Sequence, residues 1–197
     1  AEFRGFPPKS RDDLVKALGK DITVQESDWN CVLNLTPNQE SKPFDDVRVR
    51  KAISLALDRW NGSKDISKIA IVKSVGGVVF PGHPLAAKKE ELEQLIGFWP
   101  DIEKSRAEAK KLLKEAGQEN LKFTLLNRGV DQPYTILGTW MIDQWKQVGV
   151  TVEQKVEATG PFYASLRSGK FEVALEFNCQ SVDNPLVDVS TFRPDSE

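Results

Sequence analysis

The chain has 197 residues, of which 40% are hydrophobic and 28% are charged, and its formal net charge is −2 at pH 7. This composition is ordinary for a soluble globular protein, and a chain of this length can bury roughly 70% of its unfolded surface. The 27 basic and 29 acidic residues are spread along the whole chain, so no basic stripe indicates a nucleic-acid partner or a membrane surface. No apolar run approaches the ~18 residues that a membrane-spanning helix needs.

The first half of the chain predicts short helices around one strand region. The pattern predicts helix 12–18 with Ser10 as its cap, one or two strands over 22–35, helix 45–59 ended by Gly62, helix 63–72, a Gly/Pro-rich loop over 76–84, and a charged helix 88–96. Helix 45–59 has the clearest start. Asp45 and Asp46 supply a capping oxygen and negative charge, and Phe44 is placed to fold against Val49 as a hydrophobic staple.

The second half predicts a regular alternation of strands and helices. Asp101 caps a helix that Gly117 ends, and after it come strands 122–127, 150–156 and 171–177 separated by helices 134–148 and 161–167. Strands that alternate with helices pair in parallel through right-handed crossovers. The predicted fold class is therefore α/β, with an open, mostly parallel or mixed sheet and flanking helices.

In such sheets ligands bind beyond the carboxyl ends of the strands. Three predicted segments occupy that position: 127–131, 157–160 and 178–185. The third is the richest in amides, hydroxyl and carboxylate, the groups that hold a small polar solute. The alternative is a plain polar turn that Pro185 terminates.

No catalytic or metal-binding motif stands out. His83 is the one histidine and lies in a Pro-Gly-His-Pro loop, without a Gly-x-Ser-x-Gly or Walker motif to support a nucleophilic or phosphate site. Cys31 and Cys179 lie on predicted strands; they pair if those strands are neighbours in an oxidising compartment, although free buried thiols are the favoured interpretation. No Cys/His cluster suggests a metal. We therefore expect a binding protein without a cofactor rather than an enzyme.

Four motifs in order resemble one family. They are the Pro-Phe-x-Asp-x-Arg-Val-Arg-x-Ala helix within 43–59, the Leu-Leu-x-Glu-Ala-Gly helix of 101–117, the Val-Gly-Val-x-Val helix end of 140–152, and the Gly-x-Phe-Glu strand entry of 168–174. Together they resemble the periplasmic peptide/nickel-type solute-binding proteins of ABC transporters, extracellular solute-binding protein family 5. The similarity covers roughly residues 25 to 190.

The resemblance implies a two-lobed protein of which this chain is the C-terminal lobe. Residues 1–35 would form the incoming hinge-side segment, 36–190 the lobe, and 191–197 a cut end, with the N-terminal lobe absent. Such proteins are periplasmic, close on a solute like a hinged trap and deliver it to a membrane permease. We expect a monomer, and little ligand affinity in a lobe that holds only half of the contacts of the closed form.

The resemblance also directs attention to the segment after the last strand. Peptide-binding relatives carry there an aspartate that pairs with the peptide's amino terminus, but this chain has Ser181, with Asp183 two residues further on. Sugars, opines, metal chelates or modified peptides are then as plausible as plain peptides. Arg128 would pair with a carboxylate or act as a solvated loop cation. The binding candidates are Asn178, Cys179, Gln180, Ser181, Asp183 and Arg128.

Two other functions remain open at this point. Some transcription regulators use the same lobe pair as a sensor behind a helix-turn-helix, which upstream sequence would reveal. An α/β hydrolase is the third option, with His83 as its best candidate.

Overall fold

Four strands form one mixed sheet. The computed structural model describes residues 8–25, 31–70, 74–79, 81–179 and 184–190, and within them the strands are β1 Cys31–Pro37, β2 Lys122–Arg128, β3 Thr151–Glu157 and β4 Val173–Cys179. Their order across the sheet is β1-β4-β2-β3. Strand β2 runs parallel to both β3 and β4, whereas β1 runs antiparallel to β4. The predicted α/β class with a mixed open sheet is confirmed.

The described residues also contain eight α-helices. They are α1 Pro8–Leu18, α2 Val47–Leu55, α3 Arg59–Ile66, α4 Lys89–Leu92, α5 Ile102–Glu115, α6 Ile136–Lys146, α7 Thr159–Arg167 and α8 Pro185–Ser190. A short 3₁₀ helix, Gly19–Asp21, follows α1, and a kinked turn, Asp131–Thr135, precedes α6. None of the helices in the described part of the chain is long and apolar enough to cross a membrane.

Capping explains where the best-predicted helices begin and end. The Asp46 carboxylate accepts a hydrogen bond from the Arg48 backbone N–H at 2.8 Å and so starts α2. Asp101 does the same for α5 through the N–H of Lys104 at 3.0 Å. Gly117 follows α5 at a φ of +66°, the left-handed conformation that glycine adopts without strain. These local signals were predicted correctly.

The predicted break at Gly62 is wrong, because Gly62 lies inside α3. The chain instead turns near Asp58, whose carboxylate accepts from the Asn61 N–H at 3.1 Å and caps a second helix. Glycine is required at position 62 because a Cβ there would overlap the ring of Trp140. Close packing, not helix termination, explains this residue.

Other boundaries also differ from the prediction. Ser10 lies within α1, which begins at Pro8, so it does not cap the helix. The predicted helix 63–72 is replaced by the end of α3 at Ile66, and the charged helix is confined to Lys89–Leu92. Of the strand expected over 22–35, residues 22–25 are not in a strand and residues 31–35 belong to β1, while residues 26–30 lie outside the described part of the chain.

Strand β1 carries a disulfide to β4. In the antiparallel register Cys31 lies directly opposite Cys179, with their Cα atoms 4.0 Å apart, and the two sulfurs are bonded. The interpretation as free buried thiols is therefore wrong. Sequence alone did not reveal that the first and last strands are neighbours.

The core lies mainly on the sheet face that α2, α5 and α6 cover. Phe123 packs edge-on against Phe44, with ring centroids 5.4 Å apart, and against Trp145 at 5.1 Å. Trp145 is fully buried and its indole N–H donates to the Ile53 carbonyl at 2.9 Å. On the opposite face Phe162 of α7 forms a smaller cluster with neighbouring strand residues. Helices on both faces leave the strand ends as the open edge of the sheet.

Candidate functional site

The carboxyl ends of the three parallel-running strands meet at one edge of the sheet. Arg128 ends β2, Glu157 ends β3 and Cys179 ends β4. The first residue of α7, Thr159, follows β3 at this edge, and the kinked turn Asp131–Thr135 follows β2. Open α/β sheets bind ligands in this position, so it is the candidate site.

Arg128 is held by aromatic rings. Its guanidinium carbon lies 5.4 Å from the ring centroid of Tyr134 and 5.5 Å from that of Tyr163. Its Nε donates to the Thr159 hydroxyl at 3.0 Å. Both ring distances are within the range of cation–π attraction. Among the described residues no carboxylate forms an ion pair with Arg128, so a fixed positive charge faces this edge.

Tyr134 belongs to an aromatic cluster under the guanidinium. Its ring lies edge-on to Phe177 at 5.1 Å and to Phe162 at 6.1 Å, and Phe162 in turn contacts Tyr163 at 5.2 Å. Tyr134 is buried, whereas Tyr163 is 36% exposed. Burial raises the pKa of the Tyr134 phenol above its ordinary value of 10, an effect that the neighbouring Arg128 partly opposes. The phenol therefore stays neutral at physiological pH.

A buried amide network fixes the base of the site. The Asn127 side-chain N–H groups donate to the Tyr134 carbonyl at 2.8 Å and to Gln154 Oε1 at 2.9 Å, and its Oδ1 accepts from the Arg128 backbone N–H at 2.9 Å. Asn127 is fully buried. Because it bonds both to the backbone of Arg128 and to that of Tyr134, this one side chain sets the relative position of the cation and the ring.

The carboxylate of Glu157 is bound by two side chains that are close to it in the sequence. Lys155 Nζ lies 2.8 Å from its Oε1, and the Ser165 hydroxyl donates to its Oε2 at 2.9 Å. Hydrogen bonds from Lys155 and Ser165 hold the pKa of Glu157 below its ordinary value. Glu157 is therefore ionised at neutral pH and paired with Lys155, whereas Arg128 has no ion pair among the described residues.

The family model described as "Bacterial extracellular solute-binding proteins, family 5 Middle" matches residues 3–196. The chain belongs to solute-binding protein family 5. The resemblance seen in the four sequence motifs is confirmed.

Curated relatives of family 5 give the same result. The periplasmic oligopeptide-binding protein OppA of Salmonella typhimurium is 32% identical over 191 residues, which are 93% of this chain and 34% of OppA. The dipeptide-binding protein of Escherichia coli is 27% identical over 176 residues, covering 85% of this chain and 30% of that protein. The chain thus spans about a third of the length of these relatives, which are named as binding proteins rather than enzymes.

Solved structures share the fold. The crystal structure of Haemophilus influenzae OppA in complex with RPPGFSPFR has a TM-score of 0.79 at 23% identity, and the alignment covers 98% of this chain and 37% of that one. DppA from Helicobacter pylori in complex with the peptide STSA has a TM-score of 0.71 at 19% identity, covering 94% and 34%. At these identities the similarity establishes the fold alone.

The structure describes three of the six predicted binding residues. Arg128 and the end of β4, Asn178 and Cys179, lie at the expected edge, but the Cys179 sulfur is committed to the disulfide and provides no thiol to a ligand. Gln180, Ser181 and Asp183 lie outside the described residues. His83 lies in a turn, where its Nδ1 accepts the backbone N–H of Leu85 at 3.0 Å.

Two residues of the candidate site, Tyr134 and Tyr163, were not predicted, whereas Thr159 lies in the predicted strand-end segment 157–160. Both tyrosines lie on predicted helices, 134–148 and 161–167, where an aromatic side chain usually belongs to the core. The chain has two tyrosines, and the fold brings the rings of both onto Arg128.

Proposed function

We propose that this chain is the C-terminal lobe of a two-lobed periplasmic family 5 protein that captures a small solute for an ABC permease. Residues 1–35 would lead in from the hinge side, and residues 36–190 would form the lobe. The solute would be peptide-like or another polar molecule held between this lobe and a second one. Closure on it would be a shift of population toward a form in which both lobes contact the ligand.

The proposed binding chemistry depends mainly on Arg128. It is a rigidly held cation at the carboxyl edge of the sheet, stacked on two tyrosines and without an ion pair among the described residues. A carboxylate can accept two parallel hydrogen bonds from a guanidinium, which gives both energy and orientation. We therefore assign Arg128 to a carboxylate of the solute rather than to a free loop cation.

The segment after β4 completes the proposed cleft. Asn178 lies at the end of that strand, and Gln180, Ser181 and Asp183 follow it in the sequence. A serine hydroxyl does not neutralise a buried ammonium, so a solute with a free amine would need Asp183 for that charge. Because Ser181 stands where peptide-binding relatives carry an aspartate, the proposal includes both peptide-like solutes and other polar solutes.

The disulfide supports a location outside the reducing cytoplasm. Disulfides such as Cys31–Cys179 persist in oxidising compartments, of which the bacterial periplasm is one. A periplasmic location would fit both this observation and the relatives' names. There the protein would act as a monomer that meets a membrane permease.

Calorimetric titration of the full-length protein with a panel of two- to five-residue peptides tests the proposal. We expect saturable one-to-one binding by the full-length protein and little heat from the 197-residue chain. Tight binding by the 197-residue chain would contradict the two-lobed part. Native mass spectrometry of the purified full-length protein identifies any solute that co-purifies, and a solute without a carboxylate would contradict the role of Arg128.

A further inference from the structure

A carboxylate lies on β4 close to the candidate site, on the sheet face that α7 covers. Along β4, Leu175 belongs to the main core, whereas Ala174 packs against Phe162 of α7. Successive side chains of a strand point to opposite faces of the sheet, so Glu176 lies on the α7 face with Ala174. Glu176 is half-buried, and the Thr36 hydroxyl of β1 donates to its Oε1 at 3.0 Å.

Arg128 lies on the same face of the neighbouring strand. In the parallel pairing of β2 with β4, Leu126 lies opposite Ala174, and both belong to the cluster around Phe162. Continuing that register by two residues places Arg128 beside Glu176. Neighbouring strands are about 4.8 Å apart, so a cation and an anion start from adjacent backbone positions near the carboxyl edge of the sheet.

These two opposite charges do not form an ion pair with each other in the described part of the chain. Arg128 donates instead to Thr159, which follows β3, and Glu176 accepts from Thr36 on β1. Because the strand order is β1-β4-β2-β3, the two side chains lean apart, one toward each side of the sheet. The second carboxylate oxygen of Glu176 has no hydrogen-bond partner among the described residues.

A solute that carries both a positive and a negative group fits this arrangement. A carboxylate forms strong charge-assisted hydrogen bonds with an ammonium group, as a guanidinium does with a carboxylate. A free amino acid carries both of its charges on one carbon atom, so it does not reach two side chains that lean apart. The two ends of a short peptide are further separated.

We propose that Glu176 is a specificity-determining residue, which binds the ammonium group of a solute whose carboxylate binds Arg128. The solute is then a short peptide with both ends free, bound with its amino end over β4 and its carboxyl end over β2. In the segment after β4, Ser181 does not supply the negative charge that an ammonium needs, and Glu176 supplies it from the strand itself. This inference rests on the proposed function.

Calorimetric titration of the full-length protein with a peptide and its N-acetylated form tests the role of Glu176. The probe is the tightest-binding peptide of two to five residues, and acetylation removes its positive charge. In the unmodified protein we expect acetylation to weaken binding by about 30-fold, and in Glu176→Gln by about 3-fold or less. The matched control is Glu153→Gln, which removes the same charge from an exposed position on β3 and should keep the 30-fold effect.

Two further variants separate a binding role from a structural one. Glutamine at position 176 still accepts a hydrogen bond from Thr36, and Glu176→Asp keeps the charge, so this second variant should retain most of the effect of acetylation. If Glu176→Gln weakened binding of both peptide forms equally, its role would be structural and the proposal would be wrong. Loss of the acetylation effect in Asp183→Asn but not in Glu176→Gln would assign the ammonium to Asp183 and would also overturn it.

The same titrations distinguish this inference from the proposed function. If the unmodified full-length protein bound no peptide, the proposed capture of a peptide-like solute would fail and the role of Glu176 would fail with it. If it bound peptides and acetylation weakened binding equally in the unmodified protein and in Glu176→Gln, only the role of Glu176 would be refuted. Binding of a free amino acid as tight as that of the peptide would refute the proposed solute length.

Discussion

Replacement of Gly138 by alanine is expected to destabilise the protein from beneath the candidate site. Gly138 lies in α6, where a Cβ would overlap Gln154 Oε1 and stand 2.5 Å from Asn127 Nδ2. Those two atoms form the hydrogen bond that anchors the amide network under Arg128. The methyl group must therefore separate a partly buried hydrogen-bonded pair or move the helix.

The change in the free energy of unfolding is the balance between a gain in helix propensity and the costs of overpacking and of a lost hydrogen bond. Alanine is favoured over glycine in a helix by at most about 1 kcal/mol. Against this, overpacking costs about 1–3 kcal/mol, and a buried amide deprived of its partner costs about 1–3 kcal/mol more. We expect Gly138→Ala to lower the free energy of unfolding by about 2 kcal/mol, a shift of roughly 1 M in the urea midpoint for a typical dependence on denaturant.

Urea unfolding followed by tryptophan fluorescence measures this difference. The matched control is Gly160→Ala in α7, where a Cβ would meet no atom within 4 Å. The control should be neutral or more stable by up to about 1 kcal/mol. If both variants changed the midpoint equally, the close approach of α6 to the amide network would not be a constraint, and the reasoning would be refuted.

Two further predictions concern the disulfide and the buried phenol. The double variant Cys31→Ser/Cys179→Ser should unfold about 2–5 kcal/mol more easily, because the bond closes a loop with a sequence separation of 148; an unchanged urea midpoint would contradict this. In Tyr163→Phe the remaining phenol is Tyr134, and absorbance titration should show it ionising above pH 10 when folded and near 10 when unfolded. Its contribution to stability is then complete below pH 10 and lost as the pH rises through the folded pKa. An ordinary pKa in the native protein would refute the burial argument.

Local signals carried most of the correct sequence predictions. Asp46, Asp101 and Gly117 cap or end helices through hydrogen bonds and backbone conformation within one turn, so a short stretch of sequence suffices to recognise them. Gly62 was misjudged because its role depends on Trp140, a residue from a helix distant in sequence. The presence of helices was easier to predict than their limits.

The features that the sequence did not reveal depend on contacts between residues that are distant in the chain. Nothing in the residues around Cys31 indicates that β1 lies beside β4, and without that neighbour the disulfide could not be assigned. For the candidate site, the rule that ligands bind at strand ends directed attention to Arg128 and the end of β4, which the structure places at one edge of the sheet. Tyr134 and Tyr163 lie in other elements, and only the folded chain places their rings on the guanidinium.

The most direct test of the central claim is a binding cycle between Arg128 and a ligand carboxylate. The full-length protein, its Arg128→Gln variant and an Arg167→Gln control in an exposed position would each be titrated with the best-binding peptide and its C-terminal amide. In the unmodified protein and the control, amidation should weaken binding by about 30-fold, equivalent to about 2 kcal/mol for a charge-assisted hydrogen bond. In Arg128→Gln the two peptides should bind almost equally. An undiminished amidation effect in Arg128→Gln would show that the carboxylate binds elsewhere.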